Sequence, residues 1–207
     1  MRRWRNSALV AATFAGVLAA SAPAGAQMTS PGYQFLKAIK DLDSDKLVEL
    51  LDKNSTTIVN SQDLSNGDAA LHLLVRKKTS GALTWMRYLI QQGANVNLAN
   101  KEGVTPLVLA CQTGWIEGAQ LLVDYHAKVD IPNGTGETPL IAAVHRRDVP
   151  LMRLLLKGGA DPDRADSAGR TAREYAAQAG ASYVSEIEKN EKPKGQREGA
   201  KTYGPSF

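Results

Sequence analysis

Apolar residues along this chain come in short paired runs. Leu107, Ala110 and Cys111 recur at helical spacing, Gly114 interrupts them, and Ile116, Leu121 and Leu122 form a second apolar stripe. Leu151, Leu154, Leu155 and Leu156 repeat that second stripe further on, and Trp85, Tyr88, Leu89 and Ile90 precede it. Nearer the start, Phe35, Leu36, Ile39 and Leu42 suit one helix. Asp45 can cap another, whose apolar face is Leu47, Val48, Leu50 and Leu51. The pattern predicts an all-α chain of short helix pairs. One pair carries apolar residues on more sides than it can bury alone, so neighbouring pairs must stack to cover them.

The pairs recur at a fixed step. Gly103, Thr105, Pro106 and Leu107 return 33 residues later as Gly136, Thr138, Pro139 and Leu140, and Gly169 and Thr171 continue the series. Gly93-Ala94, His126-Ala127 and Gly159-Ala160 keep the same step at the far end of the unit. Asn100, Asn133 and Asp166 stand three residues before the glycine, where a side-chain oxygen can bond the backbone of the turn that the glycine closes. Thr105 and Thr138 fit a helix N-cap, with proline at the first helical position.

With its G-x-T-P-L opening and L-L-x-x-G-A close, the unit resembles the ankyrin repeat. The resemblance implies an all-α solenoid of helix-turn-helix units joined by short β-hairpin-like turns, covering about residues 30–188. Its parts are an atypical N-terminal cap at about 32–62, repeats at about 63–99, 100–132 and 133–165, and a C-terminal cap at 166–188. The first repeat writes Gly67-Asp68-Ala69-Ala70-Leu71-His72 for the opening, and 36 residues separate Gly67 from Gly103. The three extra residues are expected around Lys78 to Gly81, between the helices. His126 replaces a glycine expected to end a helix in left-handed conformation, which predicts modest strain. Arg173 replaces the leucine of the earlier repeats, as suits a solvent-facing cap.

Charge changes the picture mainly at the ends. The formal net charge is +4, but residues 1–26 and 189–207 each contribute +3, leaving −2 for 27–188. A nearly neutral body lacks the clustered basic face that nucleic-acid binding needs. Arg2, Arg3 and Arg5, the apolar run Ser7 to Ala22 and Ala24-Gly25-Ala26 read as a cleavable signal peptide, cut after Ala26. The run is short and weakly apolar for a membrane span, which needs about 20 apolar residues. The Ala-rich style fits an exported bacterial protein, and the periplasm is the expected place. Residues 189–207 hold too few apolar side chains to offset chain entropy, so a disordered basic tail is expected there. The single cysteine, Cys111, excludes an internal disulfide and reads as a small core residue.

No catalytic constellation stands out. His72, His126 and His145 occupy different repeats at different repeat positions, and H-E-x-x-H, G-x-S-x-G and P-loop signatures are missing from the sequence. No cofactor, metal, small-molecule substrate or nucleic acid is expected. The resemblance implies that His72 ties turns together through the backbone. It also implies a non-catalytic module that binds another protein on a concave face; the sequence leaves the oligomeric state open, a monomer being one option.

Carried over residue by residue, that face comprises Lys101, Glu102, Val104, Gln112 and Thr113 in one unit and Thr135, Glu137, His145 and Arg146 in the next. Asp68, Arg76 and Lys77 flank them on one side, Ser167 and Arg170 on the other. The ridge is mildly basic, which suits an acidic patch on a partner. Two other readings are a membrane-peripheral scaffold, held by an uncleaved N-terminal segment or the basic tail, and a cryptic enzyme using His145. Trp85 is expected in the core; Trp115, just after Gly114, could be core or exposed anchor.

Overall fold

The computed structural model describes residues 30–193 and 196–197. The expected signal peptide lies outside these residues, as does the last part of the tail. Among the described residues ten α-helices follow one another without a strand. They are α1 (Pro31–Asp41), α2 (Ser44–Ile58), α3 (Ala70–Lys77), α4 (Ser80–Gln91), α5 (Pro106–Thr113), α6 (Ile116–Asp124), α7 (Pro139–His145), α8 (Val149–Gly158), α9 (Ala172–Ala179) and α10 (Ala181–Asn190). Each odd helix packs antiparallel to the even helix after it. The odd helices stack in one row, α1-α3-α5-α7-α9, and α4, α6, α8 and α10 form a second row behind.

The cores of these pairs follow from the sequence periodicity. Leu107, Val108, Ala110 and Cys111 of α5, Leu140 to Val144 of α7 and Leu151, Met152, Leu155 and Leu156 of α8 are all buried. In α2 the apolar face is narrower than the sequence suggested: Leu47, Leu50 and Leu51 are buried, but Val48 is 46% exposed. The three extra residues of the first repeat are not a loop. Lys78 and Thr79 connect α3 to α4 as Gly114 and Trp115 connect α5 to α6, and α4 has 12 residues where α6 has 9. Thr79 caps the added turn by accepting from the Ala82 N–H.

Helix starts are fixed as the residue types dictate. The hydroxyls of Thr105, Thr138 and Thr171 accept the N–H groups of Val108, Ile141 and Glu174, and Glu174 reciprocates by accepting from the Thr171 N–H. In α3 an alanine stands at this position and His72 compensates. Its Nδ1 accepts the Ala69 N–H at 3.1 Å, and its Nε2 donates to the Val104 carbonyl of the next repeat at 2.9 Å.

The turns are stitched to each other. Asn100, Asn133 and Asp166 each accept two backbone N–H groups of their own turn through one side-chain oxygen. The turns then bond across repeats: Lys101 N–H to Asn66 carbonyl, Gly134 N–H to Glu102 carbonyl, Ser167 N–H to Thr135 carbonyl. Hairpin character is reduced to isolated antiparallel bridges, Gln62 with Ala69 and Ala165 with Thr171. Gly136 is needed in this stack: it sits at φ 80°, and a Cβ there would lie 2.4 Å from the Ser167 nitrogen.

Among the described residues four others take left-handed backbone without being glycine: Leu42, Lys78, His126 and Arg147. His126, at φ 62°, carries the strain expected of it.

The far edge has its own ladder. Asn60 accepts the Asn95 N–H, Asn97 the Lys128 N–H and Asp130 the Asp161 N–H, each side chain reaching the following repeat. Asp163 stands 33 residues after Asp130, at the corresponding place. The chain doubles back to fill the place. Arg197, only 6% exposed, donates to Asp161 and Asp163 at 3.0 Å each, to Glu191 at 2.9 Å and to the Lys192 carbonyl at 2.8 Å. This corrects the expectation of a disordered tail from 189 onward: α10 continues to Asn190, and Arg197 is docked. It also corrects Arg173, which is not an open cap residue but half-buried between Asp163 and Glu191. Arg173 first, and then Arg197, hold the Asp163 carboxyl below the usual carboxylate range.

Candidate protein-binding face

The expected face runs along the odd-numbered helices and the turns before them. The residues proposed for it fall into three groups.

Val104 does not belong to it. Its side chain is buried at 7% exposure and its carbonyl receives His72, because it pairs back to Asn100 inside the turn. A second group reaches the surface but is tied to its own fold. Arg76 bonds the buried carboxylate of Asp68 at 3.1 Å, and Asp68 also accepts from Asn66 and Asn100. Lys101 donates to the carbonyls of Leu64 and Ser65 in the preceding turn. The Thr135 hydroxyl bonds Asn133 at 2.8 Å, and the Ser167 backbone continues the turn stack. Glu137 accepts from Gln112 at 2.6 Å, Asn133 at 3.1 Å and His145 at 3.2 Å. His145 stands edge-on to Tyr175 at 4.5 Å, Arg170 covers the same ring at 4.4 Å, and the Tyr175 hydroxyl donates to Asp166 at 2.7 Å. One polar chain thus runs from Gln112 to Arg170 across three units of the array.

The third group presents side chains outward: Lys77 and Glu102, with Arg146 and Thr113 partly engaged. Thr113 donates to the Ala110 carbonyl, and Arg146 to the Gln112 carbonyl at 3.2 Å. The structure adds members the sequence did not single out. Leu64, at a turn tip, is 68% exposed. Lys78 and Arg147 occupy the left-handed position that Gly114 holds in the middle repeat. The shared position with Gly114 is legible in the repeat step, but their outward direction follows only from the backbone.

Trp115 is buried at 6% exposure and is therefore core: its ring fills the space over Gly118, where a Cβ would lie 2.2 Å from it. Trp85 packs partly buried against Tyr88, ring centroids 5.6 Å apart. Cys111 is fully buried, and burial pushes its thiol well above the ordinary range, so it stays an unreactive thiol. On the opposite side of the array, α4 and α6 flank an open groove of about 630 Å³ over Leu83, Ile116, Leu121 and Tyr125, with Arg87, Glu117, Gln120 and Asp124 at its rim.

His72 is committed to backbone at both ring nitrogens, and His145 meets a carboxylate that also accepts from Gln112 and Asn133. Among the described residues no group of three or more His, Cys, Asp or Glu could hold a metal ion. No described helix is long and apolar enough to cross a membrane.

A family model for ankyrin repeats in three copies matches residues 35–133 and 120–189. The chain belongs to the ankyrin-repeat family. It is also similar to ankyrin repeat protein FPV031 of fowlpox virus (strain NVSL), with 44% identity over 64 residues, 31% of this chain and 18% of that protein. The shared stretch is thus under a fifth of the viral protein's length. Ankyrin repeats mediate protein–protein interaction and are typically non-enzymatic, and the polar chain from Gln112 to Arg170 lies on an array of that kind.

Proposed function

We propose that this protein is an exported, non-catalytic module that presents a rigid face, made of the odd-numbered helices and their turn tips, to a partner protein. The observation that carries the reading is the cross-repeat stitching of that face. Every turn tip bonds the next through backbone, and Glu137 links side chains from three elements. A surface already ordered before contact loses little conformational entropy on binding, so modest contacts suffice for affinity. Export is supported by the Arg2-Arg3-Arg5 head, the apolar run and Ala24-Gly25-Ala26, with the periplasm as the destination and Ala26 as the cleavage point.

The test is capture from an envelope extract with residues 27–207, beside a variant carrying Gln112→Ala, Thr113→Ala, His145→Ala and Arg146→Ala, both of equal helical content. A protein retained by the first and lost by the second is the expected result. Equal retention by both would move the site to the groove between α4 and α6 or to the tail. Fractionation tests the location: the mature chain is expected in the soluble periplasmic fraction, and recovery with membranes would favour a scaffold held at the surface instead.

A further inference from the structure

Four cations of the binding face lie together. They gather where α5 ends. Lys78 reaches forward from the preceding repeat and donates to the Thr113 carbonyl, while Arg146 reaches back from the following one and donates to the Gln112 carbonyl. Gly114 makes the second approach feasible, since a Cβ there would fall 2.5 Å from the Arg146 guanidinium. Two positive groups from flanking repeats therefore meet on adjacent carbonyls of one helix end. Lys77 and Arg147 stand beside them, exposed and meeting no carboxylate among the described residues.

The local negative charge offsets most, but not all, of this. A helix C-terminus carries about half an elementary charge, less than Lys78 and Arg146 bring. The Asp148 carboxylate is committed to capping α8 through the Leu151 N–H. Glu137 and Glu117, the latter in the first turn of α6, keep their charge as Asp148 does, so three carboxylates stand against the four cations Lys77, Lys78, Arg146 and Arg147. The excess stands out against residues 27–188, which are net −2 as a whole.

We propose that this cluster docks a carboxylate-rich, extended segment of the partner protein. The proposal rests on the face described under Proposed function and gives that face its chemistry. A single compact cluster on a body of opposite net charge fits a short acidic stretch. A long polyanion needs a continuous basic track, which is missing here. It also shifts the centre of the site from the residues expected on sequence grounds, Arg76, His145 and Arg170, which each engage a neighbouring side chain, to Lys77 and Arg147.

The test uses labelled peptides of about twelve residues, one rich in Glu, one rich in Lys and one neutral, with binding read by fluorescence anisotropy. The Glu peptide is expected to bind, with affinity falling as NaCl rises from about 50 to about 300 mM. The Lys77→Glu, Arg147→Glu variant changes side chains without described contacts, so its helical content and Tm should match the parent while its affinity falls by about tenfold or more. Equal affinity for the three peptides, or a variant that binds the Glu peptide as well as the parent, overturns the proposal. So does binding to phosphatidylglycerol vesicles that is stronger than peptide binding and lost in the same variant, since the cluster would then serve a membrane. In the envelope capture, a partner lost by the four-alanine variant but kept by the charge-reversed one sinks the acidic-segment inference alone. A partner kept by both sinks the face itself.

Discussion

His72 must stay neutral to do its work. Its Nδ1 accepts a backbone N–H, so a proton there would set two donors against each other. Burial holds its pKa below the ordinary imidazole value of 6.5. The unfolded chain therefore takes up a proton more readily than the folded one. The stability His72 provides is complete above pH 6.5 and is lost as pH falls below it towards the lowered folded value. Urea unfolding of the parent should lose stability as pH falls from about 6.5 to about 5, by at most about 1.4 kcal/mol per pH unit from this group. His72→Gln should be less stable at neutral pH and lack that component. Parallel pH profiles for the two proteins would show that His72 titrates without consequence.

A second residue-scale prediction concerns Trp115, whose ring lies where any side chain at Gly118 would have to go. Gly118→Ala should cost about 1–3 kcal/mol through overpacking and shift Trp115 emission to the red. An unchanged Tm and spectrum would mean that the ring can move aside.

The extra turn of α4 shows how elements absorb irregularity. Three residues inserted between two helices extend the second one, because Thr79 can cap it and Ala82 is small enough to be buried in it. The docked segment at 191–197 is the corresponding device at the end of the array. Asn97 and Asp130 each receive an N–H from the next repeat, whereas Asp163 receives the guanidinium of Arg197. Arg197→Ala would leave Asp161, Asp163 and Glu191 facing one another with Arg173 as the remaining cation. A buried pair broken from one side costs about 3–5 kcal/mol. Asp161, Asp163 and Glu191 keep 26%, 39% and 23% exposure, so water will screen part of that cost. We expect a loss of about 1–3 kcal/mol, with faster hydrogen exchange in α9 and α10. Truncation after Asn190 should do the same. Wild-type stability in both would mean that the segment caps nothing.

At the scale of the whole molecule, each repeat touches only its neighbours, so protection should follow position. Helices α5 and α7 have a packed repeat on both sides, while α1 lies at the end of its row and Tyr33 and Val48 leave its helix pair partly uncovered. Native-state hydrogen exchange should be slowest in α5 and α7, with α1 and α2 opening before the global transition. Uniform protection from α1 to α10 would show that the array opens as one unit instead.

The repeat step, the turn residues Asn100, Asn133 and Asp166, the Thr-Pro helix starts and the buried Leu faces are all local. Each concerns groups within a few residues of one another, and a fixed period exposes them directly in the sequence. His72 was legible for the same reason, since its place in the unit gives its role. The sequence left Trp115 open between core and surface, because only the neighbouring Gly118 shows where the ring goes. It placed Val104 on the open face because turn position alone does not tell whether a side chain points out or is spent on a neighbour. Arg197 was hidden altogether. Its partners lie up to 36 positions away, and no local pattern marks a tail that returns to them. The grouping of Lys77, Lys78, Arg146 and Arg147 around one helix end likewise depends on three repeats being stacked. The amino-acid sequence by itself determined the family, the helix pairs and the turns, through short-range preferences repeated in register. Which side chains remain free on the surface was decided only by the tertiary structure, because that depends on what the next repeat, or the returning chain, brings within bonding distance.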